Sequence, residues 1–339
     1  MTPAVSHGRR VVGKGAGGGD TPTPPGVPWR MDLSRRVVGG RGRTAVGRTG
    51  VRGLVAAMLV GGGALVGIGG GPTAGAAMGA SATGQTEYYL ALGDSLAAGV
   101  GADSGKGYVD DIYAKEQKRH SGLVLKNLSC SGATTSSMIN GPGCSYRTGT
   151  QLGDAEAFLK KHSRHVTFVT IDIGANDVDE CVSGSGIDMT CFDNGISAIT
   201  SNLPLILSGL ASAGGSAPVV GMTYYDPFLA AWVLIPGSSG QSIAQESLTL
   251  ADQLNSLLSG DFGSGHTADV VGAFDTADFA LKAKYQGTTV PVNVARICRW
   301  THMCTTVDFH ADDAGHAKIA KAFEKVVGPL VSAGRSGRP

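Results

Sequence analysis

The sequence predicts an α/β fold in which a central parallel sheet of about five strands lies between two layers of helices. From residue 86 onward, short apolar runs rich in β-branched residues alternate with longer amphipathic segments. Each apolar run ends in glycine or small polar residues, which is typical of a strand that enters a turn. Strands that alternate with helices predict parallel pairing through right-handed crossovers.

The elements follow in chain order. Strands are predicted at about 87–92, 123–128, 165–173, 217–223 and 268–273, and helices at about 108–119, 151–162, 195–212, 242–259 and 314–332. Distinctive segments follow the first three strands, namely Gly93-Asp94-Ser95, Ser131-Gly132-Ala133-Thr134 and Gly174-Ala175-Asn176-Asp177. Because ligands bind at the carboxyl ends of parallel strands, these segments are expected to meet at one edge of the sheet.

Charge and hydropathy divide the chain into a leader and a folded domain. Residues 1–53 carry ten Lys and Arg against two Asp, whereas the remainder carries 18 basic and 25 acidic residues, which argues against nucleic acid as a partner. An Arg-rich stretch, an apolar run from Leu54 to about residue 68 and small residues up to Ala82 predict a secretory signal peptide. We therefore predict a leader over 1–83, a folded domain over 84–335, and a secreted, extracellular or envelope-associated protein.

Two points about the leader stay open. A single membrane anchor is the alternative for the apolar run, although that run is short and interrupted by glycine, so no stable span is expected in the mature protein. The chain could start at Met1 or at Met31, and the export route is not determined.

Six cysteines lie in the predicted domain: Cys130, Cys144, Cys181, Cys191, Cys298 and Cys304. Their spacings match no zinc pattern, and an even number behind a signal peptide implies disulfides. Fifteen pairings are possible. We favour the local one, in which each cysteine pairs with its neighbour in the chain, because each such pair brackets a loop rich in Gly, Ser, Asp or Thr.

A fourth segment, Asp308-Phe309-His310 followed by Gly315-His316, completes a set of four motifs. Together and in this order, they resemble the sequence blocks of the SGNH (GDSL-type) esterase and lipase family, over roughly residues 86–330. The resemblance implies a flavodoxin-like three-layer α/β/α sandwich and hydrolysis of carboxylic esters by a serine nucleophile. It also implies an ester substrate, either a lipid or an acylated small molecule.

The resemblance assigns roles to individual residues. Ser95 would be the nucleophile, and a serine hydroxyl needs a base to take its proton. His310 fits the family spacing with Gly315 better than the competing His302 and His316. The backbone N–H groups of Ser95 and Gly132 and the side chain of Asn176 would form the oxyanion hole.

One position departs from the family pattern. An Asp is usual three residues before the histidine, but that position is Val307 here. Asp308 could orient the imidazole instead, or a backbone carbonyl could do so and leave a Ser-His dyad. Both possibilities remain open from the sequence.

The apolar segment after the fourth strand has two interpretations. Phe228 and Trp232 could line an acyl-chain site, or the segment could simply pack in the core. No phosphate-binding loop, dinucleotide fingerprint or metal cluster occurs in the sequence, and the mechanism needs neither cofactor nor metal. A monomer is expected.

The predicted function is a secreted lipase or esterase, an enzyme of lipid or ester degradation. Two alternatives remain within the fold family: a carbohydrate or cell-wall O-deacetylase, and an acyltransferase. A catalytically silent surface-binding protein is a further alternative, favoured by the missing Asp at position 307. Fold alone does not choose among these activities.

Overall fold

The computed structural model describes residues 86–336, so the predicted leader and signal peptide of residues 1–83 lie outside the described residues. Its strands are β1 (Glu87–Gly93), β2 (Leu123–Asn127), β3 (Val166–Asp172), β4 (Val182–Ser183), β5 (Gly186–Ile187), β6 (Val219–Met222), β7 (Thr267–Ala268), β8 (Lys282–Tyr285) and β9 (Thr288–Pro291). Its helices are α1 (Tyr108–Gln117), α2 (Thr135–Asn140), α3 (Gln151–His162), α4 (Met189–Gly214), α5 (Ala231–Leu234), α6 (Ser238–Phe262), α7 (Val270–Phe274), α8 (Val292–Trp300), α9 (Met303–Thr306) and α10 (Asp313–Ser336).

Five parallel strands form the central sheet in the order β2-β1-β3-β6-β7. Helices α1 and α10 pack together on one side, and α3, α4 and α6 pack on the other. The predicted three-layer α/β/α fold with a parallel sheet of about five strands is therefore confirmed.

The centre of the sheet is apolar on both faces, as a strand covered by two helical layers must be. Residues 89–92 of β1 and residues 168 and 169 of β3 are fully buried. Both strands end at the same edge, where Gly93 pairs with Asp172. The sheet therefore delivers the loops after β1 and β3 side by side.

The predicted fifth strand is shorter than expected. The prediction covered residues 268–273, but the strand β7 ends at Ala268 and the helix α7 follows directly. The Asp269 side chain accepts a hydrogen bond from the backbone N–H of Gly272 at 2.7 Å and so caps the new helix. This cap turns Val270 and Val271 into the helix, although their β-branched side chains favour a strand.

Helix α4 begins at Met189, six residues before the predicted start, because Asp188 caps it through the backbone N–H of Cys191. It is long and apolar enough to span a membrane by length and composition alone. Its buried residues, among them Ile199, Leu203 and Ile206, recur at helical spacing and face the sheet layer. We therefore describe it as a layer helix of the sandwich.

Three disulfides join Cys130 to Cys144, Cys181 to Cys191, and Cys298 to Cys304. This is the local pairing favoured by the sequence. Each bridge closes a loop next to one of the three motifs that follow Ser95 in the chain.

Candidate active site

The loop after β1 has a backbone that only glycine permits at its first position. Gly93 has a φ of +133°, and a Cβ atom there would lie 1.5 Å from Oδ1 of Asp172. The Gly93 peptide is bound by Gln151 of α3, which accepts from its N–H at 2.7 Å and donates to its carbonyl oxygen at 3.0 Å. Asp172 accepts the backbone N–H of Asp94 at 3.1 Å. Two buried side chains thus fix the backbone directly before Ser95.

The structure brings Ser95 and His310 together from positions 215 residues apart. Nε2 of His310 lies 2.8 Å from Oγ of Ser95, and both residues are buried. Oδ1 of Asp308 lies 2.5 Å from Nδ1 of His310 and also accepts the backbone N–H of His310 at 3.1 Å. Hydroxyl, imidazole and carboxylate therefore form one hydrogen-bonded chain, with the carboxylate partly exposed.

The loop that carries His310 is attached to the loop after Ser95. Gly101 passes so close that a Cβ atom there would lie 2.4 Å from the carbonyl oxygen of Ala311 and 2.6 Å from Cβ of His310. Nε2 of His302 lies 2.8 Å from the carbonyl oxygen of Gly101, and the hydroxyl of Tyr225 donates to the carbonyl oxygen of Phe309 at 2.8 Å. His302 therefore has a structural contact beside the site.

The second histidine that competes with His310 is also bound elsewhere. His316 is buried on α10, where its Nδ1 accepts the backbone N–H of Tyr108 at 3.2 Å and its Nε2 lies 3.0 Å from the carbonyl oxygen of Val100. Both ring nitrogens bind backbone, so this side chain joins α1 to α10.

Val307 has a left-handed backbone, with a φ of +55°. This conformation is strained for a β-branched residue. It ends α9 and turns the chain so that Asp308, and not residue 307, presents its side chain to His310. The strained residue occupies the position at which the family pattern has its Asp.

The loops after β2 and β3 meet beside the Ser95 loop. Gly132 has a φ of +78°, and its neighbours tie it to the site: Cys130 donates to the carbonyl oxygen of Gly93 at 2.9 Å, and Asn176 donates through Nδ2 to the carbonyl oxygen of Ala133 at 3.0 Å. The backbone N–H groups of Ser95 and Gly132 donate to no acceptor within residues 86–336. Asn176 lines the same cavity as Ser95.

Asp177 joins these two loops. Its carboxylate accepts the backbone N–H and the hydroxyl of Thr135, at 2.9 Å and 2.7 Å. Asn176 is thereby held in the middle of a short 3₁₀ turn (Ala175–Asp177) that follows β3.

Two buried carboxyl groups lie under the Ser95 loop. Asp94 accepts the N–H of Leu96 at 2.9 Å and the hydroxyl of Tyr224 at 3.0 Å. Burial raises the pKa of Asp94 to about 6 despite these bonds. Burial first and the neighbouring Asp94 charge second raise the pKa of Asp172 well above its ordinary value. Burial and the charge of its neighbour therefore both favour the protonated form of Asp172.

A cavity that opens to solvent is lined by Ser95 and Asn176. Its walls are mostly apolar and aromatic, and Phe228 is among the lining residues. Trp232 is not among them and lines a separate pocket with Tyr285 and Val290, so its role in substrate binding stays a prediction. Its ring lies against that of Phe279, with centroids 5.5 Å apart, because α5 turns the indole toward the segment before β8.

Sequence reasoning missed Gln151, Asp172 and Tyr224 as parts of the site. Only Asp172 left a signal, since it is a carboxylate at the end of an otherwise apolar strand. Among residues 86–336, no group of three or more His, Cys, Asp or Glu side chains has the arrangement of a metal site.

A family model described as GDSL-like Lipase/Acylhydrolase matches residues 91–318. A search of curated proteins returned no match. Similar solved structures include a lipase from a goat rumen metagenome, at 17% identity and a TM-score of 0.46, covering 71% of this chain and 97% of that chain. A phospholipase A1 from Streptomyces albidoflavus NA297 has 20% identity and a TM-score of 0.43, and the match covers 71% of this chain and 100% of that chain. A catalytic mutant of an acetylxylan esterase from Geobacillus stearothermophilus has 17% identity and a TM-score of 0.43, and the match covers 72% of this chain and 95% of that chain.

Proposed function

The chain belongs to the GDSL-like lipase/acylhydrolase family, and we propose that it hydrolyses carboxylic esters through an acyl-serine intermediate on Ser95. The observation that carries this proposal is the 2.8 Å contact between Nε2 of His310 and Oγ of Ser95. A serine hydroxyl becomes an effective nucleophile only with a base in hydrogen-bond reach. Both groups are buried, so bulk water does not compete for this contact.

In the first half of the reaction, Oγ of Ser95 attacks the ester carbonyl carbon while its proton passes to Nε2 of His310. The imidazole becomes positively charged, and the Asp308 carboxylate 2.5 Å from Nδ1 stabilises that charge and fixes the tautomer. The carbonyl oxygen becomes an oxyanion at the same time. We assign its stabilisation to the backbone N–H groups of Ser95 and Gly132 and to the second N–H of the Asn176 side chain.

In the second half, the tetrahedral intermediate collapses and His310 donates its proton to the departing alkoxide. Water then attacks the acyl carbon while Nε2 of His310 takes its proton. Collapse of this second tetrahedral intermediate breaks the bond between the acyl carbon and Oγ of Ser95, His310 returns the proton to Oγ, and the carboxylic acid leaves. Every proton transfer uses the same imidazole nitrogen. The reaction needs no group from outside the chain other than substrate and water.

The cavity supports a lipase or esterase over an O-deacetylase. The wall is mostly apolar and aromatic and includes Phe228, so a longer apolar chain would bury more of its surface there than an acetyl group would. We therefore propose that esters with an apolar part longer than acetyl are the better substrates.

A chain-length series of p-nitrophenyl esters, from acetate to palmitate, tests this proposal on the full chain. We expect kcat/KM to rise beyond acetate, Ser95→Ala to lose at least about 10³-fold, and the exposed helix variant Ser256→Ala to match the wild type. Activity confined to acetate would favour the deacetylase. Activity that survives in Ser95→Ala would refute the serine mechanism.

We also propose that the protein is secreted. Three disulfides, and no free cysteine within residues 86–336, suit an oxidising compartment. Detection of the mature chain in culture medium, with its first residue read by mass spectrometry, tests the export and the predicted cleavage between about residues 76 and 83.

A further inference from the structure

The cavity beside Ser95 has a carboxyl group that no described residue satisfies. Asp179 lines this cavity in the 3₁₀ turn Asp179–Cys181, and its side chain makes no hydrogen bond or ion pair with any residue of 86–336. The two other carboxyl groups of the wall are satisfied. Asp94 accepts from Leu96 and Tyr224, as described above. The carboxyl group of Asp226 accepts the N–H of Phe228 at 2.9 Å and the hydroxyl of Ser247 at 2.7 Å.

The charged side chains around Asp179 are acidic. No Lys or Arg is among the residues that line the cavity. Burial is the largest cause that raises the pKa of Asp179 well above its ordinary value, and Asp94, Asp226, Asp177 and Glu180 raise it further. A cation in the cavity would reverse both effects, since it would favour the ionised carboxylate and offset the negative charge around it.

The rest of the wall is aromatic. Five aromatic residues line the cavity with Asp179: Phe192, Tyr224, Tyr225, Phe228 and Phe309. Aromatic faces attract cations, and quaternary ammonium groups are bound in this way because they are large, apolar at the surface and positively charged. An aromatic wall with one partly exposed carboxyl group that bonds no described residue therefore matches such a group better than it matches a plain alkyl chain.

We propose that the cavity binds a quaternary ammonium group of the ester substrate and that Asp179 is the residue that selects it. The inference rests on the proposed ester hydrolysis at Ser95 and adds the substrate class. An alkyl chain ending in a trimethylammonium group would contact both the apolar wall and the Asp179 carboxylate.

Esters that differ only in charge test this inference. Butyrylcholine and 3,3-dimethylbutyl butyrate are isosteric in the alcohol part, and the p-nitrophenyl esters of 4-(trimethylammonio)butanoate and 5,5-dimethylhexanoate are isosteric in the acyl part. We expect wild-type kcat/KM to be at least tenfold higher for the cationic ester in one pair, and the pair that shows it identifies which side of the ester enters the cavity. In Asp179→Asn this ratio should fall at least threefold, because only the aromatic residues would then attract the cation.

Asp193→Asn is the matched control. Asp193 is exposed on α4 and does not line the cavity, so its variant should keep the wild-type ratio. Equal kcat/KM within both wild-type pairs would overturn the inference, and so would a ratio that Asp179→Asn leaves unchanged. Hydrolysis of p-nitrophenyl butyrate reports separately on the proposed function: if it depends on Ser95 while no cation preference exists, only the present inference fails.

Discussion

The contact between Asp308 and His310 predicts the kinetics of Asp308→Asn. The two side chains are 2.5 Å apart, and the His310 side chain is 2% exposed whereas that of Asp308 is 28% exposed. Hydrogen bonds to charged groups contribute about 1.5–3 kcal/mol, and each 1.36 kcal/mol corresponds to a tenfold rate, so loss of the charge alone lowers kcat about 10- to 150-fold. An amide can also favour the wrong imidazole tautomer, which would raise the loss toward about 10⁴-fold.

Steady-state hydrolysis of a p-nitrophenyl ester measures this effect. KM should change by less than about threefold, because Asp308 does not line the cavity. Asp111→Asn, on the exposed face of α1, is the control for loss of an aspartate elsewhere, and thermal unfolding checks that each variant is folded. If Asp308→Asn keeps kcat within threefold of the wild type while His310→Ala is inactive, the carboxylate has no role and a Ser-His dyad is the correct description.

Three further predictions concern the oxyanion hole, a buried acid and the cavity wall. Asn176→Ala should lower kcat by about 10²–10³-fold, and a loss below tenfold would remove its side chain from the oxyanion hole. Burial raises the pKa of Asp226 to about 7, so between about pH 4 and 7 the folded state retains a proton that the unfolded chain releases. The free energy of unfolding should therefore fall as pH rises through this window, by at most about 4 kcal/mol. In urea titrations, Asp226→Asn should lose less stability over the same pH range than the wild type. An equal loss in both proteins would contradict this prediction. Phe228→Leu should lower the octanoate-to-acetate ratio of kcat/KM several-fold while Trp232→Leu leaves that ratio unchanged; the opposite pattern would mean that substrate binds outside this cavity.

The sheet could be predicted because each central strand can be identified from its own residues. Uniform burial makes β1 and β3 continuous apolar runs that a pattern detects. The error at β7 has an equally local cause, since Asp269 is a helix cap whose effect outweighs the β-branched residues that follow it. Helices α8 and α9, which lead to the His310 loop, were not predicted because they are short and their positions depend on packing.

Some residues of the candidate site could likewise be predicted from local sequence, whereas others depend on contacts between distant parts of the chain. Ser95, Gly132 and Asn176 each follow a strand directly, so the order of the sheet alone places them at one edge. Gln151 could not be predicted, because its contact with Gly93 depends on how α3 packs against the sheet, 58 residues away in sequence. The role of Asp308 depends on the left-handed backbone of Val307, a conformation that β-branched residues rarely adopt.

Covalent labelling by a fluorophosphonate tests the central claim most directly, because the reagent reacts with a serine only when a base activates it. The account predicts one adduct per chain, located on Ser95 by peptide mass spectrometry, absent in Ser95→Ala and formed at least about 10²-fold more slowly in His310→Ala. Labelling at a different serine, or an undiminished rate at Ser95 when His310 is replaced by alanine, would contradict it.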